Sequence, residues 1–346
     1  MRPLCFQVGA SDSIRDRMHL GQMALSLPVP PNVPACIEWA RRAEELGYES
    51  IWIAETGGPD PFVLAGTVAQ VTRTARIGLA VSPVYIRTPA TIAAAAGTVA
   101  QLAPGRFILG LGSSSHAIVE NWHGVPFRKP LTRVHETVTT VRGMLAGEKV
   151  QFEGATLRTQ GFRLMVPPPA PVPIYVGALR PAMLELAGQV GDGVAVNLFP
   201  VEALPKMLEH VAVGARRANK DPRKLEVVCR QQILVTDDKS GARQLFRAAL
   251  TGYFATPVYN KFAAWYGFEE EAAMIERGFK TGDRALTRKG MTDRFVDSLA
   301  IFGSLDECKE RIAAYVAAGV TTTIVSVLTF DPEALGRTIE GLAPAG

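Results

Sequence analysis

The chain has 346 residues, 47% hydrophobic and 20% charged, the balance of an ordinary soluble globular enzyme with a large core. Its 37 basic and 33 acidic residues leave a net charge of +4 without a dense Lys/Arg run, which excludes a charge-built nucleic-acid surface and suits an anionic small molecule. No run reaches the roughly 18 apolar residues of a membrane span. The 4 cysteines and 5 histidines show neither CxxC nor HExxH spacing, so no metal site is expected and reduced thiols in a cytoplasmic protein are.

Residues 1–17, MRPLCFQVGASDSIRDR, hold a short apolar patch followed by charges and lack the apolar run and cleavage site of a signal peptide. They read as an N-terminal extension, and 18–346 as one domain. There, strand-like runs alternate with helix-like runs. HLGQMALSL (19–27) is the first strand. Residues 33–47 form an amphipathic helix with Ile37, Ala40, Ala43 and Gly47 on one face, Asn32 placed to cap it and Gly47 to end it. SIWIA (50–54), RIGLAVS (76–82) and RFILGL (106–111) are the next strands, followed by helices near 61–73, 88–102 and 131–146. Residues 147–172 carry a hairpin and a Pro-rich stretch. PIYVG (173–177), GVAVN (193–197), EVVCRQQILV (226–235) and TTTIVSVL (321–328) complete the strands, with helices at 180–190, 201–218 and 332–342. Residues 238–318 are a long helical insertion before the last strand. Eight short apolar strands, each followed by helix, predict an α/β fold of the (β/α)8 TIM-barrel type, with strands buried on both faces.

In such barrels the active site lies at the C-terminal strand ends. After the second strand stands Glu55, a carboxylate available for cofactor contact or proton chemistry. After the third, Tyr85 and Arg87 follow in a proline-stiffened loop. After the fourth comes Gly112-Ser113-Ser114-Ser115, then His116, Asn121, Trp122 and His123 in a loop. Small residues let backbone N–H groups approach an oxyanion, and hydroxyls add donors, so this turn reads as a phosphate cradle. GLGSSS meets only two of the three glycines of a dinucleotide fingerprint and lies in the wrong unit. After the fifth strand, Gly177-Ala178-Leu179-Arg180 opens a helix at Pro181, a second anion-friendly turn with a full charge beside it. No Ser-His-Asp set, acid pair or Walker loop stands out, which suits an enzyme whose chemistry belongs to a cofactor.

The motifs GYESIWIAE, GRFILGLGSSS, WHGVPFRKPLTRVHETV, PIYVGALRPAMLELAGQVGDGV and FGSLDECKERIAAYVAAGV occur in the order of the bacterial-luciferase-like superfamily, which this chain resembles over roughly 18–344. It is most similar to the deazaflavin branch that uses coenzyme F-420, which includes methylenetetrahydromethanopterin reductase and F-420-dependent glucose-6-phosphate dehydrogenase. The resemblance implies a TIM barrel with the ring in its mouth, backed by a third-strand bulge at Ala80-Val81-Ser82, often with a cis peptide. It implies cofactor phosphodiester contacts at Gly112, Ser113, Ser114 and Ser115 and at Gly177, Ala178, Leu179 and Arg180. Arg128, Lys129 or Arg133 would flank an acidic cofactor tail. Two positions depart from the sugar-phosphate branch: Thr56 stands where that branch has a histidine, and Ser115 where it has a glutamate. Glu55, His116 and His123 remain as proton-transfer candidates. The expected function is hydride transfer between coenzyme F-420 and a small organic substrate, in a homodimer without nucleic-acid or membrane partners. The alternatives are an FMN-dependent monooxygenase and a non-catalytic cofactor-binding barrel.

Overall fold

The protein is described here by a computed structural model covering residues 19–27 and 32–344. The expected extension 1–17 lies outside the described residues. The first half builds four βα units: β1 (Gln22–Ser26), α1 (Val33–Glu45), β2 (Ser50–Ile53), α2 (Pro61–Val71), β3 (Arg76–Leu79), a two-residue continuation β4 (Ser82–Pro83), α3 (Pro89–Leu102), β5 (Phe107–Gly112) and α4 (Pro130–Leu145). The caps are local. Asn32, Asp60 and Thr88 side chains accept N–H groups of the first turns of α1, α2 and α3, each with proline in its first turn. Along α1, Cys36, Ala40 and Ala43 form the buried stripe. Gly47 follows at φ 83°, the left-handed conformation that ends a helix at little cost.

The expected hairpin is β6 (Val150–Glu153) against β7 (Arg158–Phe162), antiparallel. The second half runs β8 (Ile174–Gly177), α5 (Pro181–Val190), β9 (Gly193–Asn197), α6 (Leu204–Arg217) and β10 (Glu226–Val235). The insertion follows as α7 (Lys239–Phe254), α8 (Pro257–Trp265), α9 (Glu269–Thr281), α10 (Arg284–Gly290), α11 (Asp293–Leu299), β11 (Ala300–Gly303) and α12 (Leu305–Ala317). The chain returns through β12 (Thr322–Val327) and α13 (Pro332–Gly341).

Among the described residues, eight parallel strands close a barrel in the order β1-β2-β3-β5-β8-β9-β10-β12. The insertion is not wholly helical: β11 pairs with the last four residues of the ten-residue β10. Four residues against one strand edge carry too little pattern to separate from the helices around them.

The barrel is filled rather than hollow. Ala24, Trp52, Ile108, Tyr175, Val228 and Ile324, one from each of six strands, form an interior cluster apart from the larger core between strands and helices. Below it, at the N-terminal strand ends, Arg76 holds both oxygens of Glu226 at 3.1 Å and donates to the Tyr175 hydroxyl at 3.0 Å. The floor is therefore closed, and only the C-terminal mouth is left for a ligand.

Two carboxylates tie loops to helices. Glu44 on α1 accepts the N–H groups of Arg73, Thr74 and Ala75, and Glu136 on α4 accepts those of Ala155, Thr156 and Leu157 in the hairpin turn. Burial alone would raise both pKa values, but the converging donors outweigh it and hold both below the usual carboxylate range. The unfolded chain binds these protons more readily, so the stability they supply is full above about pH 4.3 and is lost as pH falls through the native values. Urea midpoints are expected to drop below that pH. Glu136→Gln should cost about 1–3 kcal/mol at pH 7 and flatten the acid limb. An unchanged acid limb would remove this role from Glu136.

Candidate active site

The mouth is asymmetric, and the asymmetry begins with a bulge. Ile77 and Gly78 of β3 pair with Phe107 and Ile108, and Ser82 and Pro83 of β4 pair with Leu111 and Gly112. Three residues, Leu79 to Val81, thus face two, Leu109 and Gly110. The cis peptide expected in this stretch is present between Ala80 and Val81. Val81 lies on a platform of glycines. A Cβ on Gly112 would stand 2.6 Å from Val81 Cγ2, and one on Gly177 3.2 Å from the same methyl. A Cβ on Gly110 would overlap the Leu79 carbonyl oxygen. The bulge can lie flat because β5 and β8 carry no side chains there.

Beside this platform are two turns with free donors. Ser114 holds φ 60°, a left-handed conformation uncommon for a non-glycine residue. Among the described residues, the N–H groups of Ser113, Ser114 and Ser115 have no protein acceptor. The same holds for Leu179 and Arg180 at the start of α5, while the Ala178 N–H is used by the Ala195 carbonyl at 3.1 Å. The Arg180 side chain is exposed and makes no ion pair among the described residues. Because β5 and β8 are neighbours, the two donor groups share one side of the mouth.

The structure gives the proton-transfer candidates different surroundings. Glu55 accepts Ser82 Oγ at 2.6 Å on one oxygen and Arg87 Nη2 at 2.8 Å on the other. Arg87 also reaches Asp60 at 2.5 Å. Burial would lower the Arg87 pKa, but the bonds to Glu55 and Asp60 hold it above its ordinary value. Ser82 is fully buried, with its hydroxyl committed to Glu55. His116 and His123 do not sit in a plain loop, as the sequence suggested. They flank a π-helical turn, Ala117–Trp122, whose first free N–H groups are approached by Ser115: its Oγ accepts the Ile118 N–H at 3.3 Å. Such turns recur at functional sites. His116 Nε2 lies 2.9 Å from Glu120 Oε2, while His123 is exposed. Trp122 covers Gly57 of the loop after β2, joining the second and fourth strand mouths.

Two residues expected near a ligand are structural instead. Tyr85 is buried and donates to the Arg128 carbonyl at 2.6 Å. Arg133 donates to the carbonyls of Val84 and Thr156, so its charge is spent on the loop and not on a cofactor tail. Arg128 and Lys129 are exposed.

The opposite wall is polar and was missed from sequence. Two residues above the interior cluster, by strand alternation, come Asn197, Arg230 and Ser326. Arg230 and Asn197 are register partners on β10 and β9. Tyr259 from α8 donates to Asn197 Oδ1 at 3.1 Å, which brings the insertion over the mouth. Burial pushes the Tyr259 phenol up, keeping it a neutral donor. Ser326 and Gln232 face each other at 3.5 Å. The one available signal was an Arg-Gln-Gln interruption in an otherwise apolar strand.

This architecture is shared with known proteins. The sequence profile described as "Luciferase-like monooxygenase" matches residues 6–322. The 5,10-methylenetetrahydromethanopterin reductase of Methanolobus tindarius is 30% identical over 289 residues, covering 83% of this chain and 88% of that protein. The F-420-dependent glucose-6-phosphate dehydrogenase of Rhodococcus erythropolis is 28% identical, covering 82% and 85%. The structure of the coenzyme F-420-dependent tetrahydromethanopterin reductase of Methanopyrus kandleri superposes with a TM-score of 0.80 at 20% identity, over 94% of this chain and 98% of that one, which shows the same fold. With a closed barrel, a bulged third strand and a profile match spanning most of its length, the chain belongs to the luciferase-like monooxygenase family.

Proposed function

We propose that this protein is an oxidoreductase that transfers a hydride between coenzyme F-420 and a small organic substrate. The observation that carries the reading is the pair of unpartnered donor turns, Ser113–Ser115 and Leu179–Arg180, beside the glycine platform under Val81. A phosphodiester fits such turns because unpartnered N–H groups on neighbouring strand ends, with the unpaired Arg180 beside one of them, offer donors to an anion. The flat wall of Ala80, Val81, Gly112 and Gly177 fits a planar ring, and relatives named for coenzyme F-420 support that choice of ring. Bound there, the cofactor supplies a hydride donor or acceptor.

The chain's own groups then have separate tasks. Ala178 N–H fixes the fifth-strand turn, and Ser82 with Glu55 and Arg87 fixes the far side of the bulge. Since both Glu55 oxygens hold partners, we read it as positioning the ring wall. His116, with Glu120 beside it, and His123 are the groups left to carry a proton. The closed floor directs a ligand to the mouth, where α8 reaches Asn197 through Tyr259 and can help align the substrate carbon.

Fluorescence titrations with coenzyme F-420 and with FMN, run in parallel, test this. Deazaflavin should bind more tightly, and Arg180→Ala should weaken it about tenfold, the loss of one charged contact of about 1.4 kcal/mol. Preference for FMN would turn the reading to oxygen-dependent monooxygenation, and binding of neither would defeat both. The same sample in sedimentation velocity should run at twice the 37.2 kDa chain mass, as the proposed cytoplasmic homodimer. Among the described residues no helix is long and apolar enough to cross a membrane.

A further inference from the structure

Arg230 differs from the other half-buried arginines of this fold. Arg76 is paired with Glu226, and Arg87 with Glu55 and Asp60. Arg106 donates to the carbonyls of Ala69, Thr72 and Ala75, and Arg133 to those of Val84 and Thr156. Arg230 Nε is fully enclosed and has no hydrogen-bond partner, and the side chain makes no ion pair among the described residues. The side chain is half-buried and only its Nε–H is cut off from solvent, so an acceptor reaching that edge of the guanidinium would satisfy a donor that the fold leaves unused.

Its location says where that acceptor would come from. Val228 lies in the barrel interior, and Arg230, two residues on, projects from the same face of β10 toward the mouth. In an eight-stranded barrel the strand opposite the third is the seventh, and β10 stands four places from β3 in the closed order. The Ala80–Val81 bulge and Arg230 therefore face each other across the mouth. One wall is alanine, valine and glycine. The other presents a cation, flanked by Asn197 and the neutral hydroxyl of Tyr259. A ring lying on the first wall leaves the space toward the second for the molecule that exchanges hydride with it.

We propose that Arg230 is the specificity-determining residue for the substrate, and that the substrate is a small organic carboxylate whose oxygens it receives. A carboxylate matches the planar fork of a guanidinium, which a neutral amide or alcohol does not, and desolvation at the mouth strengthens the contact. The proposal rests on the hydride-transfer reading only for what the carboxylate is there to do. The binding site itself belongs to the chain.

Isothermal titration with cinnamate and its neutral isostere cinnamide, with and without saturating coenzyme F-420, decides it. The wild-type protein should bind cinnamate at least tenfold more tightly than cinnamide. Arg230→Met should abolish that preference, Arg230→Lys should restore part of it, and coenzyme F-420 affinity should stay within twofold in both. The thermal midpoint of the unliganded Arg230→Met protein should hold or rise, because an enclosed donor without an acceptor has been removed. No preference for cinnamate in the wild type, a preference that survives Arg230→Met, or a large fall in the midpoint would each overturn the assignment. If coenzyme F-420 fails to bind while cinnamate preference persists and depends on Arg230, the cofactor reading falls and the carboxylate site stands.

Discussion

Replacing Gly110 with alanine is expected to destabilise the barrel by about 3 kcal/mol, the upper end of what an overpacked core position costs. The added methyl would occupy the space of the Leu79 carbonyl oxygen, which is backbone and cannot rotate aside. Relief requires the bulge to lift from β5, and Val81 would lose its seat over Gly112 and Gly177. Gly252→Ala is the matched control. Gly252 is exposed on α7, with nothing near the new methyl, so this change should stabilise by about 0.5–1 kcal/mol through backbone entropy and helix propensity. Guanidinium denaturation of the two variants should therefore move the midpoint in opposite directions. Two small shifts of the same sign would mean that the bulge tolerates displacement and is not fixed by the glycine platform.

The turn after the fourth strand carries the second large expectation. Ser114→Val should weaken coenzyme F-420 binding by about a hundredfold or more, equal to about 2.7 kcal/mol. A β-branched side chain at φ 60° clashes with its own backbone, so the turn would leave the left-handed conformation and scatter the Ser113, Ser114 and Ser115 N–H groups. Ser114→Gly separates backbone from hydroxyl. Glycine keeps that conformation at no steric cost, and affinity should fall by no more than about threefold. Quenching titrations on the three proteins give the answer. Equal binding by the valine variant would remove the turn from the phosphate site, and a large loss in the glycine variant would assign the contact to the hydroxyl.

Much of the fold was legible because its signals are local. Apolar runs of four to six residues, prolines in first turns, and capping residues such as Asn32 and Asp60 mark the elements before any tertiary contact forms. The hairpin at 147–172 and the two small-residue turns after β5 and β8 were legible for the same reason. The four-residue β11 and the π-helical turn at Ala117–Trp122 were not. One draws its pairing from the end of a distant strand, and the other differs from a helix or loop only in which carbonyl each N–H reaches.

By itself the sequence determined the eightfold alternation, the order of the strand mouths and the residue types offered at each. Only the tertiary structure decided which of those residues were already spoken for. Glu55 is joined to Arg87 and Ser82 across 32 and 27 residues, and Arg133 is absorbed by carbonyls of two other loops. Arg230, unremarked in a strand, keeps an enclosed Nε without a hydrogen-bond partner among the described residues. The reason is barrel closure. A strand's period tells which residues point inward, but which strand lies opposite, and which charge finds its counterpart, depends on contacts between segments far apart in the chain.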